Sequence, residues 1–472
     1  KFIKFLITTF IILSFSIANA QNLPNLGDYS SIALPKAQEK QLGKAFMHQL
    51  ELQIPVSHDP LISNYINALG NRLAEHAGNH WTDFHFFVIN NSEINAFAGP
   101  GGYIGVNSGL ILTTRTENEL AATLAHEITH VDQRHIARTA TRAKELSLPT
   151  LAALIAGAIV GGLSNSDAGA AAVMAALGSS GQNMINFTRG NEEEADRIGM
   201  QTLYKAGFDP MAMPSFFRHM QQMSLSAGDQ IPAYLQDHPV TDVRIADAEN
   251  RAKEYPKRKV NSSLEYYLIR ARLLVTNSKP EFSINYFRDK LNNHSYRNHI
   301  AAEYGYALAL LKANKPKPAT KVINNLIKND PNQVIYQMAL ADAKVTAKQN
   351  KQAIQLLNNT LALYPDYYPL IIQYAKILLK DNQADQARIF LEQQKYNYPN
   401  DVLMYILLAR AQGQSKHYAD AYQTRATLFE IYGANKLALA QLQKALQLPG
   451  LDSDTKTILQ AKIKALQPTS RK

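Results

Sequence analysis

The sequence predicts a mainly α protein: an N-terminal helical domain with a small β-sheet, followed by an α-solenoid. Three observations predict it. His126 and His130 stand four residues apart inside a helix-spaced pattern running from about Glu117 to Arg138. Short segments rich in aromatic and β-branched residues, Phe84 to Asn90 and Tyr103 to Val106, come just before that pattern. Beyond about Leu264 the composition shifts to Ala, Leu, Gln, Lys and Tyr, and a fixed period appears.

Taken in order, the first twenty residues read as a secretory signal. Lys1 and Lys4 form a basic start, Phe5 to Ile17 an apolar core, and Ala18-Asn19-Ala20 a small-residue cleavage site, so the mature chain is expected to begin at Gln21. The apolar run is short for a membrane span. Cysteine is absent, which excludes disulfides, thiolate metal sites and a lipid-modified cysteine. These features predict an exported protein of a Gram-negative periplasm. The chain's 472 residues suffice for two or three domains, and its net charge of +10 favours acidic surfaces. Export and the lack of any nucleic-acid motif argue against nucleic-acid partners.

Lys36 to Glu51 and Pro60 to Ala77 carry the apolar spacing of helices. The two β-rich segments, with Gly99-Pro100-Gly101-Gly102 as a turn between them, predict a hairpin. In Leu146 to Thr188 the only charged residue is Asp167, and the apolar runs at 150–163 and 168–177 are too short to span a bilayer. It is either a buried helical hairpin or an exposed flap giving peripheral contact with a membrane or an apolar client. Pro256 to Ser263 reads as a linker, which places a first domain at 21–255 and a solenoid at 264–466.

In the solenoid, Ala307, Ala341, Ala375 and Ala409 are spaced by 34, as are Ala319, Ala353, Ala387 and Ala421; Pro331, Pro365 and Pro399 follow the same step. A 34-residue helix–turn–helix period is the tetratricopeptide signature. At least four repeats span His299 to Gly433, with a degenerate repeat before them and closing helices after. Such stacks curve, and their concave face is expected to bind peptides or partner proteins.

The chemistry resides in His126-Glu127-Ile128-Thr129-His130, an H-E-x-x-H pattern. Histidines one helical turn apart can share one Zn2+ ion, with the adjacent glutamate able to reach a bound water. A catalytic zinc needs a third protein ligand. The pattern H-E-x-x-H-x-x-G-x-x-H is excluded, because Gln133 and Ile136 stand where it needs Gly and His. The alternative is a glutamate on a later helix, and Asn191 to Arg197 opens one. There Glu192 is the expected ligand, while Asp196, one turn on, accepts the free N–H of a ligand histidine. Glu193 and Glu194 are assigned no role, and His135 is read as a polar helix-surface residue.

With Glu192-Glu193-Glu194-Ala195-Asp196 as E-x-x-A-D, the chain resembles the M48 peptidases, a gluzincin group. Asn95 to Ile104, and His238-Pro239 followed by Arg244, resemble the same family. The resemblance implies a zinc endopeptidase in which Glu127 moves the proton of the attacking water. It also implies that His238 lies near the metal, either stabilising the oxyanion or filling a fourth metal position, presented from a loop because Pro239 disfavours helix before it. Arg244 is expected to pair with a nearby carboxylate or with the tetrahedral intermediate. An extended substrate is expected to pair with the strand at Gly101, Gly102, Tyr103 and Ile104. The combination of signal, M48 domain and repeats resembles the group that assists outer-membrane β-barrel assembly. That implies docking of the repeats on the barrel-assembly machinery or on outer-membrane β-barrel proteins, and removal of stalled barrels. A repeat scaffold with a mostly latent protease site, and a general periplasmic protease of unfolded chains, are the competing readings.

Overall fold

The structure, a computed structural model, describes residues 34–78, 81–139, 148–163, 181–226 and 232–467. The expected signal and its cleavage point lie outside those residues, as does the second apolar run at 168–177.

Helices α1 (Lys36–Glu51) and α2 (Pro60–Ala74) form where apolar spacing predicts them. Asp59 caps α2 by accepting the Leu61 and Ile62 N–H groups, and Pro60 starts its first turn. Leu61, Ile62, Tyr65, Ile66, Leu69 and Leu73 form its buried face.

The sheet departs from the expected hairpin. Strands β1 (His85–Ile89), β2 (Ala96–Ala98) and β3 (Tyr103–Asn107) lie in the order β1-β3-β2. The two segments foreseen as a hairpin run parallel, with His85 opposite Tyr103 and Ile89 opposite Asn107. The antiparallel pair is β2 with β3, joined through the turn at Pro100–Gly102, where Gly101 and Gly102 take φ of 72° and 94°. Ala96–Ala98 escaped the sequence reading because three residues, two of them alanine, carry almost no strand signal.

Helix α3 (Ser108–Thr113) leads into α4 (Glu117–Asp132), which carries the H-E-x-x-H residues. Thr116 caps α4 through the Glu119 N–H. The helix does not continue to Arg138: Arg134 adopts a left-handed φ of 54°, and a separate short helix, α5 (His135–Thr139), follows. Helix α6 (Leu148–Leu163) packs Leu151, Ala152 and Ala156 into a core shared with Leu42, Phe46 and Leu50 of α1. The described part of the apolar insert therefore has one buried face. Helix α7 (Gly181–Lys205) starts ten residues before the Asn191 opening read from sequence. Glu192 thus sits in mid-helix, where a preference for acidic residues at helix N-termini does not explain it. Helices α8 (Ala212–Ser226), α9 (Ala233–Asp237) and α10 (Asp242–Glu254) complete this half.

The segment 256–263 is extended but pinned. The Ser263 N–H donates to Glu117 Oε2 at 2.6 Å, and Asn118 Nδ2 donates to the Val260 carbonyl at 2.9 Å. Beyond it stand paired helices, beginning with α11 (Leu264–Asn277), α12 (Pro280–Asn292) and α13 (His299–Lys312) and ending at Ser453–Leu466. All eight alanines in the two 34-residue series are buried, as close helix approach requires. The backbone keeps the same step: Asn314, Lys348, Asn382 and Lys416 all have φ between 57° and 65°, and Gly450 follows at 74°.

The solenoid folds back on the first domain. Helix α11 and the helix Tyr368–Lys380 pack on α2, and Arg272 Nε lies 2.7 Å from Asp59 Oδ2. The Tyr432 hydroxyl donates to Glu51, and its ring lies 5.1 Å from that of His48. Part of the repeat surface that the sequence reading left for partners is thus taken by the chain's own N-terminal half.

Candidate metal centre

Helix α4 presents His126 and His130 on one face, and α7 crosses beside it. Gly199 permits that crossing, since a Cβ there would meet the Ala125 carbonyl oxygen at 3.1 Å. The approach brings Glu192 within 3.3 Å of both imidazoles: Oε2 of His126 Nε2, and Oε1 of His130 Nε2. His126 Nε2 and His130 Nε2 are 3.0 Å apart. His238, at the C-terminal end of α9, places Nδ1 3.3 Å from His126 Nε2 and 3.0 Å from Glu192 Oε1. Four donor atoms from three elements lie within 4.8 Å of one another. Zinc bonds of roughly 2.0–2.1 Å in a tetrahedron separate ligands by about 3.3 Å, close to the 3.0–3.3 Å of the donor pairs just described.

The electrostatics also suit a cation. Burial opposes a charged His126, yet the Glu192 and Asp196 carboxylates push its pKa up to about 10. Burial instead holds His130 down at about 3, against the pull of Glu192. Burial works against the Glu192 charge too, but the His238 and His126 imidazoles keep its carboxyl well below the usual range. Glu127 is fully buried and, among the described residues, neither of its oxygens has a hydrogen-bond partner. Burial raises its pKa, the direction a general base needs. A carboxylate buried without a donor is costly unless a ligand or water completes it.

Around the donors lies a supporting layer. Asp196 Oδ1 is 3.0 Å from His126 Nδ1, as its position one turn beyond Glu192 predicts. Arg244 grips Asp196 with both arms, Nε to Oδ2 at 2.8 Å and Nη2 to Oδ1 at 2.9 Å, and places Nη1 3.1 Å from Glu192 Oε2. Of its two expected roles, the carboxylate partner is the one the geometry displays.

Three sequence-level assignments change. His135 is not a surface residue: it is buried, with Nδ1 2.8 Å from His130 Nδ1 and Nε2 3.1 Å from Glu194 Oε2. The left-handed Arg134 turns the chain so that a residue five positions on reaches the same imidazole. Glu194, given no role before, pairs with both His135 and Arg138 and has its pKa held at about 2, chiefly by the His135 bond. Glu193 is exposed.

The third change concerns substrate pairing. Tyr103 and Ile104 sit on the central strand, hydrogen-bonded on both sides, and Gly101 and Gly102 belong to a tight turn. None of the four offers a free edge. The Asn107 N–H donates to Asn95 O at 2.9 Å, and the Gly99 N–H to Tyr103 O at 2.6 Å. By alternation Ala96 and Ala98 turn their backbone groups to the outer edge of β2. The start of that edge is covered: the Tyr234 N–H donates to Ile94 O at 2.9 Å, and Asn95 Nδ2 donates to Asp237 Oδ2 at 2.9 Å. Tyr234 is itself fully buried, with a hydroxyl that has no hydrogen-bond partner. Burial, then the Glu127 charge, raise its pKa well above the usual value, so it keeps its proton. No sequence signal marked it.

Residues 60–252 match peptidase family M48, and residues 345–411 match the tetratricopeptide repeat. The chain is 35% identical over 429 residues to the beta-barrel assembly-enhancing protease of Escherichia coli K12, covering 90% of this chain and 87% of that protein. A putative beta-barrel assembly-enhancing protease of Vibrio cholerae is also 35% identical, over 455 residues, 95% of this chain and 94% of that one. The metalloprotease LoiP of Escherichia coli is 28% identical over 232 residues, 47% of this chain and 84% of its own length.

Proposed function

The chain belongs to peptidase family M48, and from that premise we propose that it is a periplasmic zinc endopeptidase that promotes outer-membrane β-barrel assembly and degrades barrels that fail. The observation that carries the catalytic part is the convergence of His126, His130, Glu192 and His238 beside a buried Glu127 that accepts no hydrogen bond among the described residues. The barrel-assembly part is supported by the names of relatives that match nearly the whole chain.

His126, His130 and Glu192 would hold the ion. Bound there, zinc would acidify water and polarise a peptide carbonyl. Glu127 takes the proton of the attacking water and returns it to the leaving amine. Asp196 and Arg244 fix the His126 ring, and His135 fixes His130. A client in extended form would add to the outer edge of β2 at Ala96 and Ala98, its backbone supplying the bonds. Unpaired strands of an unfinished barrel have the matching chemistry.

A resting, shut site is favoured by one further observation. His238 Nδ1 lies among the metal donors, while its Nε2 is 3.4 Å from Glu127 Oε1. The same ring would therefore take a fourth ligand position while its other nitrogen lies against the general base. The segment that carries it also covers the start of the β2 edge. Its withdrawal would free all three together. The repeats would then serve to dock clients or the assembly machinery, so that opening is coupled to recruitment.

The test is E127Q. The variant should retain one metal ion per chain and lose cleavage of an unfolded substrate by about 10²–10⁴-fold. Wild-type cleavage by metal-loaded E127Q would defeat this reading.

A further inference from the structure

A cavity of about 330 Å³ opens between α11, α12 and α13 at the beginning of the solenoid, closed on one side by Leu112 of α3. That is the size of a small-ligand site. Its walls are apolar at Leu112, Leu274 and Phe287, and three cations, Arg270, Lys290 and Arg297, stand around them. No carboxylate lines it. Among the described residues none of the three cations makes an ion pair. Arg270 spends its donors on neutral carbonyls, Nη1 on Thr114 and Nη2 on Leu112, each at 2.7 Å. Arg297 Nη1 donates to the Thr114 carbonyl at 3.0 Å, and the Lys290 ammonium lies 5.7 Å from the Tyr286 ring centre. Burial lowers the Arg270 pKa, and the like charge of Arg297 adds to it. Uncompensated positive charge beside an apolar hollow is the complement of an anion attached directly to an apolar group.

The apolar surface continues outside the cavity. Phe282 and Tyr286, 57% and 36% exposed, stack one turn apart on α12 with ring centres 6.1 Å apart, and Ile300 is 38% exposed at the start of α13. An occupant that used all of this would extend outward from the hollow. Asn298, whose Oδ1 caps α13 through the Ala301 N–H, has no hydrogen bond on its amide nitrogen among the described residues, and Ser295 adds a hydroxyl at the same wall. Those groups suit a peptide backbone.

We propose that this cavity binds the C-terminal end of an apolar polypeptide, its α-carboxylate held by Lys290 and Arg297 beside the Arg270 charge and its preceding side chains laid over Tyr286 and Phe282. The site is separate from the metal centre and does not depend on the reading of that centre.

The experiment is fluorescence anisotropy with the full-length E127Q protein, which keeps the probe intact. The probe is an N-terminally labelled hexapeptide of Ala and Leu ending in Phe, with no acidic side chain and a free carboxyl group. The same peptide as its amide is the comparison. The free acid should bind saturably and the amide about tenfold more weakly, as loss of one charge-assisted bond implies. The double variant K290Q/R297Q, at exposed or half-buried positions, should lose about tenfold while unfolding at the parent temperature. The proposal is overturned if acid and amide bind alike, if the double variant binds like the parent, or if the acid shows no saturable binding at millimolar concentration. Saturable binding of dodecanoate with no peptide binding would assign the cavity to lipid and overturn it equally.

Discussion

His135 Nδ1 lies 2.8 Å from His130 Nδ1, so one metal-facing imidazole is steered by a second imidazole. The tautomers follow. His130 presents Nε2 to the donor cluster, so its proton sits on Nδ1 and is donated to the Nδ1 lone pair of His135. His135 then carries its own proton on Nε2 and donates it to Glu194 Oε2, 3.1 Å away. Burial lowers the His135 pKa and keeps it neutral, as an acceptor must be. Replacing it by Ala should weaken metal affinity by about 10–100-fold, the usual cost of losing such support. Competition with a chromophoric chelator measures this; an unchanged dissociation constant would show the pair to be incidental.

Withdrawal of His238 should have the opposite sign. H238A removes the ring that occupies the fourth donor position and lies against Glu127, so basal cleavage of an unfolded substrate should rise. A gain on the order of tenfold is within the range of couplings between a switch and a site. Cleavage that falls instead would assign His238 to the transition state.

Arg244 pairs with two buried carboxylates at once, so its removal leaves both with imidazole partners alone. R244Q should cost about 3–5 kcal/mol. R244K should recover little of it, because one ammonium cannot replace the fork that spans both oxygens of Asp196. Urea unfolding of metal-free protein reads the effect without reference to catalysis, and a loss below about 1 kcal/mol would contradict it.

Lys348 and Lys416 occupy the left-handed position that closes the first helix of their repeats. That conformation costs an ordinary L-residue about 1–2 kcal/mol, against about 0.5–1 kcal/mol of extra chain entropy for glycine. K348G and K416G should each stabilise the solenoid by roughly 0.5–1 kcal/mol. Thermal unfolding checks the sign, and destabilisation would mean that the lysine side chains contribute packing not evident at these turns.

What the sequence determined was whatever depends on a period or on one residue type. The turn between His126 and His130, the turn between Glu192 and Asp196, and the 34-residue step of the solenoid are local geometry, fixed by 3.6 residues per turn and by repeat length. What tertiary structure decided was everything set by relative placement. One left-handed residue, Arg134, bent the helix and carried His135 behind His130, which no helical wheel foresees. Strand order made Tyr103–Ile104 internal and gave the outer edge to Ala96–Ala98, because three residues hold no periodic signal while two flanking partners do. The fold of α9 onto Ile94 set His238 against both Glu192 and Glu127. The contacts of that last segment join residues 46 positions apart, at Glu192, and more than a hundred apart, at Glu127 and Ile94, and only the packed chain brings them together.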